Sequence, residues 1–464
     1  MNIKRSAGAV MMLSVVMMSG AVDGIDGSIV NVALPTLADE FATDMGTVSW
    51  ISAVYFLMLA GLLLTFGRIA MNGAVRKVLV GGLVLFTSSS LLCGLSDSFL
   101  VLMAFRALQG VGAAAIGAAA PMLCVRYVPR EMMGTAMGVL IMGWSVGFGV
   151  GPVIGGYLLE AASWHWVFFI NIPIGVAAVA LAFFAVPSDG GYSGEPLDFR
   201  GAALLFAAVS AGALALERVQ YPGEGAISGA CAVLCALSLA LFVAWEARCG
   251  HPLLNVRAFR HVPFDLVYVS YVVLNLVYIG IFYLLPFYAS TVLKLDPSTT
   301  GLMLLAPSVV TVALCIPMSR WSDRTRRRPF CMAACASLFL ACVALVASGM
   351  GGAWVWLAAA LVFMGLTWAL CGGPMAGRVV ETVKGESQEM ASSLMYEAVY
   401  IGCVLGVALF ALTFSIGAGT GGMDFADIGE RAFRDGFTVA MLAGAAMSAA
   451  IAAASLIVKE PKHG

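Results

Sequence analysis

The stretch "SGAVDGIDGSIVNVALP", residues 19–35, sets two carboxylates inside the first strongly apolar segment of a 464-residue chain. A charge at the middle of a bilayer costs on the order of a few kcal/mol, so such groups face a protein interior or a water-filled path. Asp23 and Asp26 are three residues apart and share one helix face. A passive anchor has no use for them. An ion pathway, a proton relay or a cation site does.

The rest of the chain supplies the membrane. It is 61% hydrophobic and 11% charged, with a mean hydropathy of +0.96. Soluble domains average about 45–50% apolar and about 25% charged, which excludes an ordinary soluble protein. The net charge of -1 offers no basic field for nucleic acid. The eleven cysteines sit almost entirely in apolar segments and read as small buried hydrophobes. Cys331 and Cys335 share a helix face, but no zinc-type partners lie near them in sequence. Lys4 and Arg5 before an apolar run resemble the start of a signal peptide. The run is too long and too acidic for one, so we read it as a retained first transmembrane helix.

A spanning helix needs about 20 apolar residues. Fourteen candidates occur, at 8–33, 47–67, 77–96, 99–123, 134–158, 165–186, 199–217, 226–247, 264–290, 299–318, 329–349, 353–375, 389–415 and 434–458. With both ends cytoplasmic, 20 of the 25 Lys and Arg residues fall on the inner side and four on the outer. Arg106 is the remaining one, inside the fourth helix. That asymmetry orients the chain and supports an even number of crossings.

The chain also repeats itself. "GRIAMNGAVRK" (67–77) follows the second helix and "SRWSDRTRRRP" (319–329) the tenth. Each is a basic turn after the second helix of a six-helix block. The expected fold is therefore an all-α integral membrane protein with two six-helix bundles, 1–186 and 264–464. A linker and two inserted helices occupy 187–263, opening with "PSDGGYSGEPLD" (187–198). Two repeated bundles around a midplane site form a transporter design.

Five stretches make a resemblance specific: "DGSIVNVALP" (26–35), the basic turn at 67–77, "RALQGVGAA" (106–114), "GWSVGFGVGPVIGG" (143–156) and "WHWVFFINIPIG" (164–175). Together they resemble the fourteen-helix drug:proton antiporters of the major facilitator superfamily. "HPLLNVRAFR" (251–260) is similar to that family too. The resemblance implies alternating access driven by an ion gradient, without a cofactor. Asp26 matches the family's acidic position in the first helix, Arg106 its arginine linked to proton coupling, and Glu397 an acid found in quaternary-ammonium exporters. Asp23 is an addition one turn before Asp26. Gly143, Gly147, Gly151 and Gly155, with Pro152 and Gly156, match the family's antiporter motif. Glycines every four residues also let two backbones approach closely, and the two readings are compatible.

The residues add readings of their own. Arg106, Gln109 and Gly110 share a face, and a buried guanidinium must find an acceptor. Arginine stays charged, so Arg106 tunes a carboxylate instead of carrying the proton. Tyr271, Asn275, Tyr278 and Phe282 form one aromatic and polar face, which either attracts organic cations or only packs the bundle. Asn31 and Gln109 complete the expected cavity lining. Glu217 is a further candidate for coupling, although beside Arg218 it reads more simply as half of an interfacial ion pair. Gly67, Arg68, Arg76, Lys77, Asp323 and Arg324 form the gating turns. Met71 stands where the family carries an aspartate that helps latch the outward-facing state, and Ala74 where it carries glycine, which leaves the gating balance open.

No soluble-enzyme signature is present in the sequence. No phosphate-binding glycine loop carries a lysine, and His165, His251, His261 and His463 are scattered. We expect no enzyme activity, no metal and no cofactor. The leading expectation is a monomeric exporter in the plasma membrane that exchanges lipophilic, cationic compounds for protons. The alternatives are a carrier for an endogenous metabolite or lipid-like molecule, and a membrane sensor that transports nothing.

Overall fold

Mainly apolar stretches of this length can satisfy their backbone in lipid only as helices, and helices are what form. The computed structural model describes residues 3–43, 45–189, 197–219, 223–250, 253, 262–295, 297–325, 329–349, 353–377, 387–419 and 429–457. Among them are fourteen long helices and no strand. The first six are α1 (Ile3–Glu40), α2 (Met45–Ile69), α3 (Val75–Gly94), α4 (Phe99–Tyr127), α5 (Met133–Ala161) and α6 (His165–Ala185). The inserted pair is α7 (Phe199–Arg218) and α8 (Gly225–Glu246). The last six are α9 (Val262–Thr291), α10 (Pro297–Thr325), α11 (Pro329–Gly349), α12 (Ala353–Leu370), α13 (Ser387–Ala418) and α14 (Glu430–Ile457). The stretch 251–260 lies outside the described residues except for Leu253, which is buried.

Punctuation follows local chemistry. α2 passes into α3 through a wide turn, Ala70–Ala74, where Gly73 takes φ +97°, a conformation that favours glycine. α12 gives way to a similar turn, Cys371–Met375, at the Gly-Gly-Pro of 372–374, because proline cannot donate to the helical ladder. The first helix runs beyond the expected 8–33 in both directions.

Among the described residues, twelve segments are long and apolar enough to cross a bilayer. One of them, Trp50–Gly94, contains both α2 and α3, and Phe199–Ala215 in α7 is a shorter apolar stretch. The outer faces expose Leu100, Phe184 and Val355, as surfaces solvated by lipid do. This is a multi-pass membrane protein.

Contacts divide the helices into two groups. α1 packs along α5 and against α6, while α4 packs on α2 and α3. In the second group α9 packs on α13, α11 on α12 and α14, and α10 on α12. The groups meet where α5 touches α10 and where α2 and α4 touch α13. The inserted α7 and α8 pair with each other, and α7 lies on α2 and α13.

The end that carries the basic turns is held shut by named bonds. Asp323, at the end of α10, accepts the main-chain N–H groups of Gly134 and Thr135 at 2.9 Å each and the Thr135 hydroxyl at 2.6 Å. A carboxylate on the free N–H groups of a helix N-terminus is favourable in both charge and hydrogen bonding. Arg126 of α4 makes a two-pronged bond to Glu389 of α13, 2.7 Å on each arm, and also donates to the Met71 carbonyl at 2.9 Å. Gly67 lies against Ser393, whose Oγ would be 2.9 Å from a Cβ added there.

Asp323→Asn keeps the shape but can no longer accept from all three donors. We expect this end to open more often. Orphaning buried donors costs about 1–3 kcal/mol, and each 1.4 kcal/mol shifts the population about tenfold. Maleimide labelling of a cysteine at the buried Ser393 position, in a background without native cysteines, should rise accordingly. Unchanged labelling would show that Asp323 is no latch.

Candidate functional site

Glycine sets the depth at which the acids sit. Gly20 and Gly24 of α1 face Leu140, Trp144 and Phe148 of α5, while Gly143, Gly147, Gly151 and Gly155 face α1 in return. A Cβ on Gly147 would fall on the Ala21 carbonyl and lie 2.7 Å from the Ile25 nitrogen. One on Gly151 would strike Ser28. The stripe is thus a seam within the first group of helices, with backbone against backbone. Gly156 stands apart from it, with nothing within 4 Å of its added Cβ, and Pro152 is half-buried inside α5. The opposite face of α5 meets the second group through Gly138 and Gly149, against Ser319 and Ser308 of α10. Gly147→Leu should destabilise the protein by the ~1–3 kcal/mol or more typical of overpacking, read as a lower unfolding temperature in detergent, whereas Gly156→Leu should leave that temperature unchanged. Equal melting of the two variants would contradict the seam.

Asp26 is fully buried and fully engaged. Arg106 donates to it at 2.7 Å, and Gln109 and Asn171 each donate at 2.9 Å. The Arg106 guanidinium, itself 1% exposed, also donates to the Gln109 side-chain oxygen at 2.6 Å and to the Ile51 main-chain oxygen at 3.0 Å. It lies over the Tyr55 ring at 4.4 Å, a favourable placement for a desolvated cation. Gln109 passes the chain on to Ser90 at 2.7 Å. Charge here is balanced, and Asp26 accepts from three side chains.

Asp23 has different company. It accepts from the Tyr55 hydroxyl at 3.1 Å and from the Tyr400 hydroxyl, and the Trp144 indole lies beside it. These three partners are neutral. Tyr55 belongs to α2 and Tyr400 to α13, so this carboxyl bridges the two groups of helices. The Asp23–Tyr400 bond must break or rearrange whenever they separate.

Around it runs a wall of rings. Phe148 stacks on Trp144 with centroids 4.5 Å apart, and Trp144 stacks on Trp368 of α12 at 5.0 Å. Tyr278 of α9 meets Trp368 edge-on at 5.3 Å, and Phe282 meets Phe148 at 4.9 Å. Of the aromatic face expected on α9, Phe282 therefore crosses to the first group of helices, while Tyr278 packs on Trp368 within its own. Tyr271 is buried, and its carbonyl accepts from Asn275 at 2.7 Å. Trp144, Phe148 and Trp368 escaped sequence reading. Trp144 and Phe148 sit among the glycines of a motif that draws attention to its gaps, and Trp368 lies in a uniformly apolar helix.

The other candidates fall in separate places. Asn31 is exposed and accepts from Ser52 at 3.1 Å. Glu397 is buried in α13, and its Oε2 has no hydrogen-bond partner. The Glu217 side chain lies outside the described residues, and Arg218 pairs with Glu224 at 2.9 Å. In the first basic turn, Asp189 accepts the N–H groups of Arg76 and Lys77 at 2.9 and 3.1 Å, and the Arg76 guanidinium donates to the Phe183 carbonyl at 2.6 Å. Arg68 lies in the last turn of α2, and Arg324 is exposed. Among the described residues no cluster of three or more His, Cys, Asp or Glu is arranged to hold a metal ion.

Comparison with known proteins agrees with this architecture. The Major Facilitator Superfamily profile matches residues 16–407. The chain is 27% identical over 403 residues to "Multidrug resistance protein B homolog" of Mycobacterium tuberculosis, covering 84% of this chain and 73% of that one. To "Multidrug resistance protein Stp" of the same species it is 30% identical, covering 83% and 72%. To "Riboflavin transporter RibZ" of Clostridioides difficile it is 27% identical, covering 84% and 85%. Among solved structures, the human organic anion transporter MFSD10 (TETRAN) superposes with a TM-score of 0.63 at 15% identity, over 94% of this chain and 99% of that one.

Proposed function

Because this chain belongs to the Major Facilitator Superfamily, a family of membrane transporters, we propose that it is a proton-driven exporter of small lipophilic cations. It would work as a monomer in the plasma membrane, with fourteen crossings, both termini cytoplasmic and two helix bundles rocking about the midplane. The observation that carries this reading is Asp23, a buried acid bonded across the bundle interface to Tyr400. An ionised Asp23 holds two phenol hydroxyls and thereby ties α1 and α2 to α13. Protonation turns one acceptor oxygen into a donor and weakens that tie. Proton binding and bundle separation are then one event, and a cation arriving between the bundles competes for the same carboxylate. Relatives named for multidrug resistance fit a broad substrate range.

Asp26 and Arg106 serve a different purpose in this scheme. Their closed pair fixes α1, α4 and α6 around the mobile acid, with Gln109 and Asn171 as supports. Glu397 is a second acid available to a cation in the other bundle.

A second reading, a carrier for one endogenous metabolite, is favoured by the relative named as a riboflavin transporter. Efflux of ethidium and of riboflavin from proteoliposomes, with and without an imposed pH gradient, separates the two. Gradient-dependent movement of ethidium supports the exporter. Movement of riboflavin alone would replace it with the carrier, and movement of neither under any gradient would remove both.

A further inference from the structure

Tyr55 of α2 joins the surroundings of the two buried acids. Its hydroxyl donates to Asp23 at 3.1 Å, and its ring lies under the Arg106 guanidinium at 4.4 Å. α2 grips that guanidinium at a second point one turn earlier, where the Ile51 carbonyl accepts from it at 3.0 Å. Gly110 of α4, one turn after Arg106, sets the approach. A Cβ added there would lie 2.5 Å from the Tyr55 carbonyl, so the two helices meet closely at this height. Tyr55 is 0% exposed, and its ring and hydroxyl are both engaged.

The arrangement has an electrostatic consequence. A cation over a ring face is attracted by the ring, and in a dry interior neighbouring polar groups polarise one another. The Arg106 charge therefore makes the Tyr55 hydroxyl a stronger donor. A donor bonded to the charged form of a carboxyl favours that form. The titratable and charged groups around Asp23 are Asp26 on its own helix, Tyr55 on α2, and Tyr396, Tyr400 and Cys403 on α13, with Arg106 of α4 acting on Tyr55. Of the two phenols bonded to Asp23, Tyr400 lies in the other group of helices and Tyr55 in its own.

We propose that Tyr55 is the positioning residue that ties the Asp26–Arg106 pair to Asp23 and sets the pH at which Asp23 takes its proton. This rests on the transport reading above, in which Asp23 is the proton site, and adds the group that tunes it. Tyr400 leaves the carboxyl when the bundles part, whereas Tyr55 stays and keeps it oriented.

Infrared titration of the purified full chain in detergent tests this without any gradient or flux. Subtracting Asp23→Asn in each background isolates the carbonyl stretch of protonated Asp23, and its amplitude against pH gives a midpoint. Tyr55→Phe keeps the ring under Arg106 and removes the hydroxyl. It should move the midpoint upward by about one pH unit, a tenfold change in proton affinity and the scale of one hydrogen bond, while melting near wild type. Tyr55→Leu removes ring and hydroxyl together, so it should give the upward shift and also a clearly lower unfolding temperature. 3-Fluorotyrosine placed at position 55 alone is a stronger donor of nearly the same shape. It should move the midpoint downward, and its test does not depend on how the other variants fold. The proposal is overturned if Asp23 does not titrate in folded wild type, if the midpoint stays or falls in Tyr55→Phe, or if it stays or rises with fluorotyrosine. Equal melting of Tyr55→Phe and Tyr55→Leu would likewise overturn the tie to Arg106. Ethidium transport in vesicles tests the exporter reading separately, and the expected midpoints in a protein that moves nothing would remove that reading and leave this one standing.

Discussion

Asp26→Asn should destabilise the folded protein by about 3–5 kcal/mol, the cost of stranding one member of a buried ion pair. Arg106 is 1% exposed and its carboxylate partner is 2.7 Å away. Neutralising that carboxylate leaves a guanidinium with only neutral acceptors, the Gln109 and Ile51 oxygens. A second change, Arg106→Met, should recover much of the loss, since buried pairs are often replaced by apolar side chains at little net cost. Thermal unfolding of the single and double variants in detergent measures the coupling. Losses that simply add would mean that Asp26 and Arg106 do not act as a unit.

Asp23→Asn should do the reverse. The amide fills the same space and its oxygen still accepts from a phenol, so the variant should fold and melt near wild type. Its side chain cannot take up and release a proton at accessible pH. Substrate accumulation against a gradient should fall to the level of passive equilibration, while exchange at equilibrium persists. The functional loss is complete and the structural loss small, which marks a proton site and not a brace.

In our reading the acid at the family's position, Asp26, is thus the brace, and the added Asp23 is the proton carrier. The helical spacing of Asp23 and Asp26 was legible, as was the need of Arg106 for an acceptor. It was not legible that α4 and α6 would bring Arg106, Gln109 and Asn171 to one acid, while α2 and α13 bring only phenols to the other. Tyr400 lies 377 residues from Asp23 in sequence, and no periodicity reports such a contact. The helices themselves were easy to read, because about 20 apolar residues in lipid leave the backbone no other solution. The glycine stripe of α5 was equally plain, but its partner was not. Spacing announces a close approach without saying that α1, and not the other bundle, supplies the opposing backbone. Met71 removes an acid from the first basic turn, yet that turn is still engaged, through the Met71 carbonyl and the Arg126–Glu389 pair.

The most direct test is proton-coupled ethidium transport in proteoliposomes holding equal amounts of wild type and Asp23→Asn. Wild type should concentrate ethidium only when a pH gradient is imposed and should lose that accumulation when the gradient is collapsed. Asp23→Asn should move ethidium downhill at a rate that ignores the gradient. If Asp23→Asn concentrates ethidium against its gradient as wild type does, Asp23 is not the coupling acid.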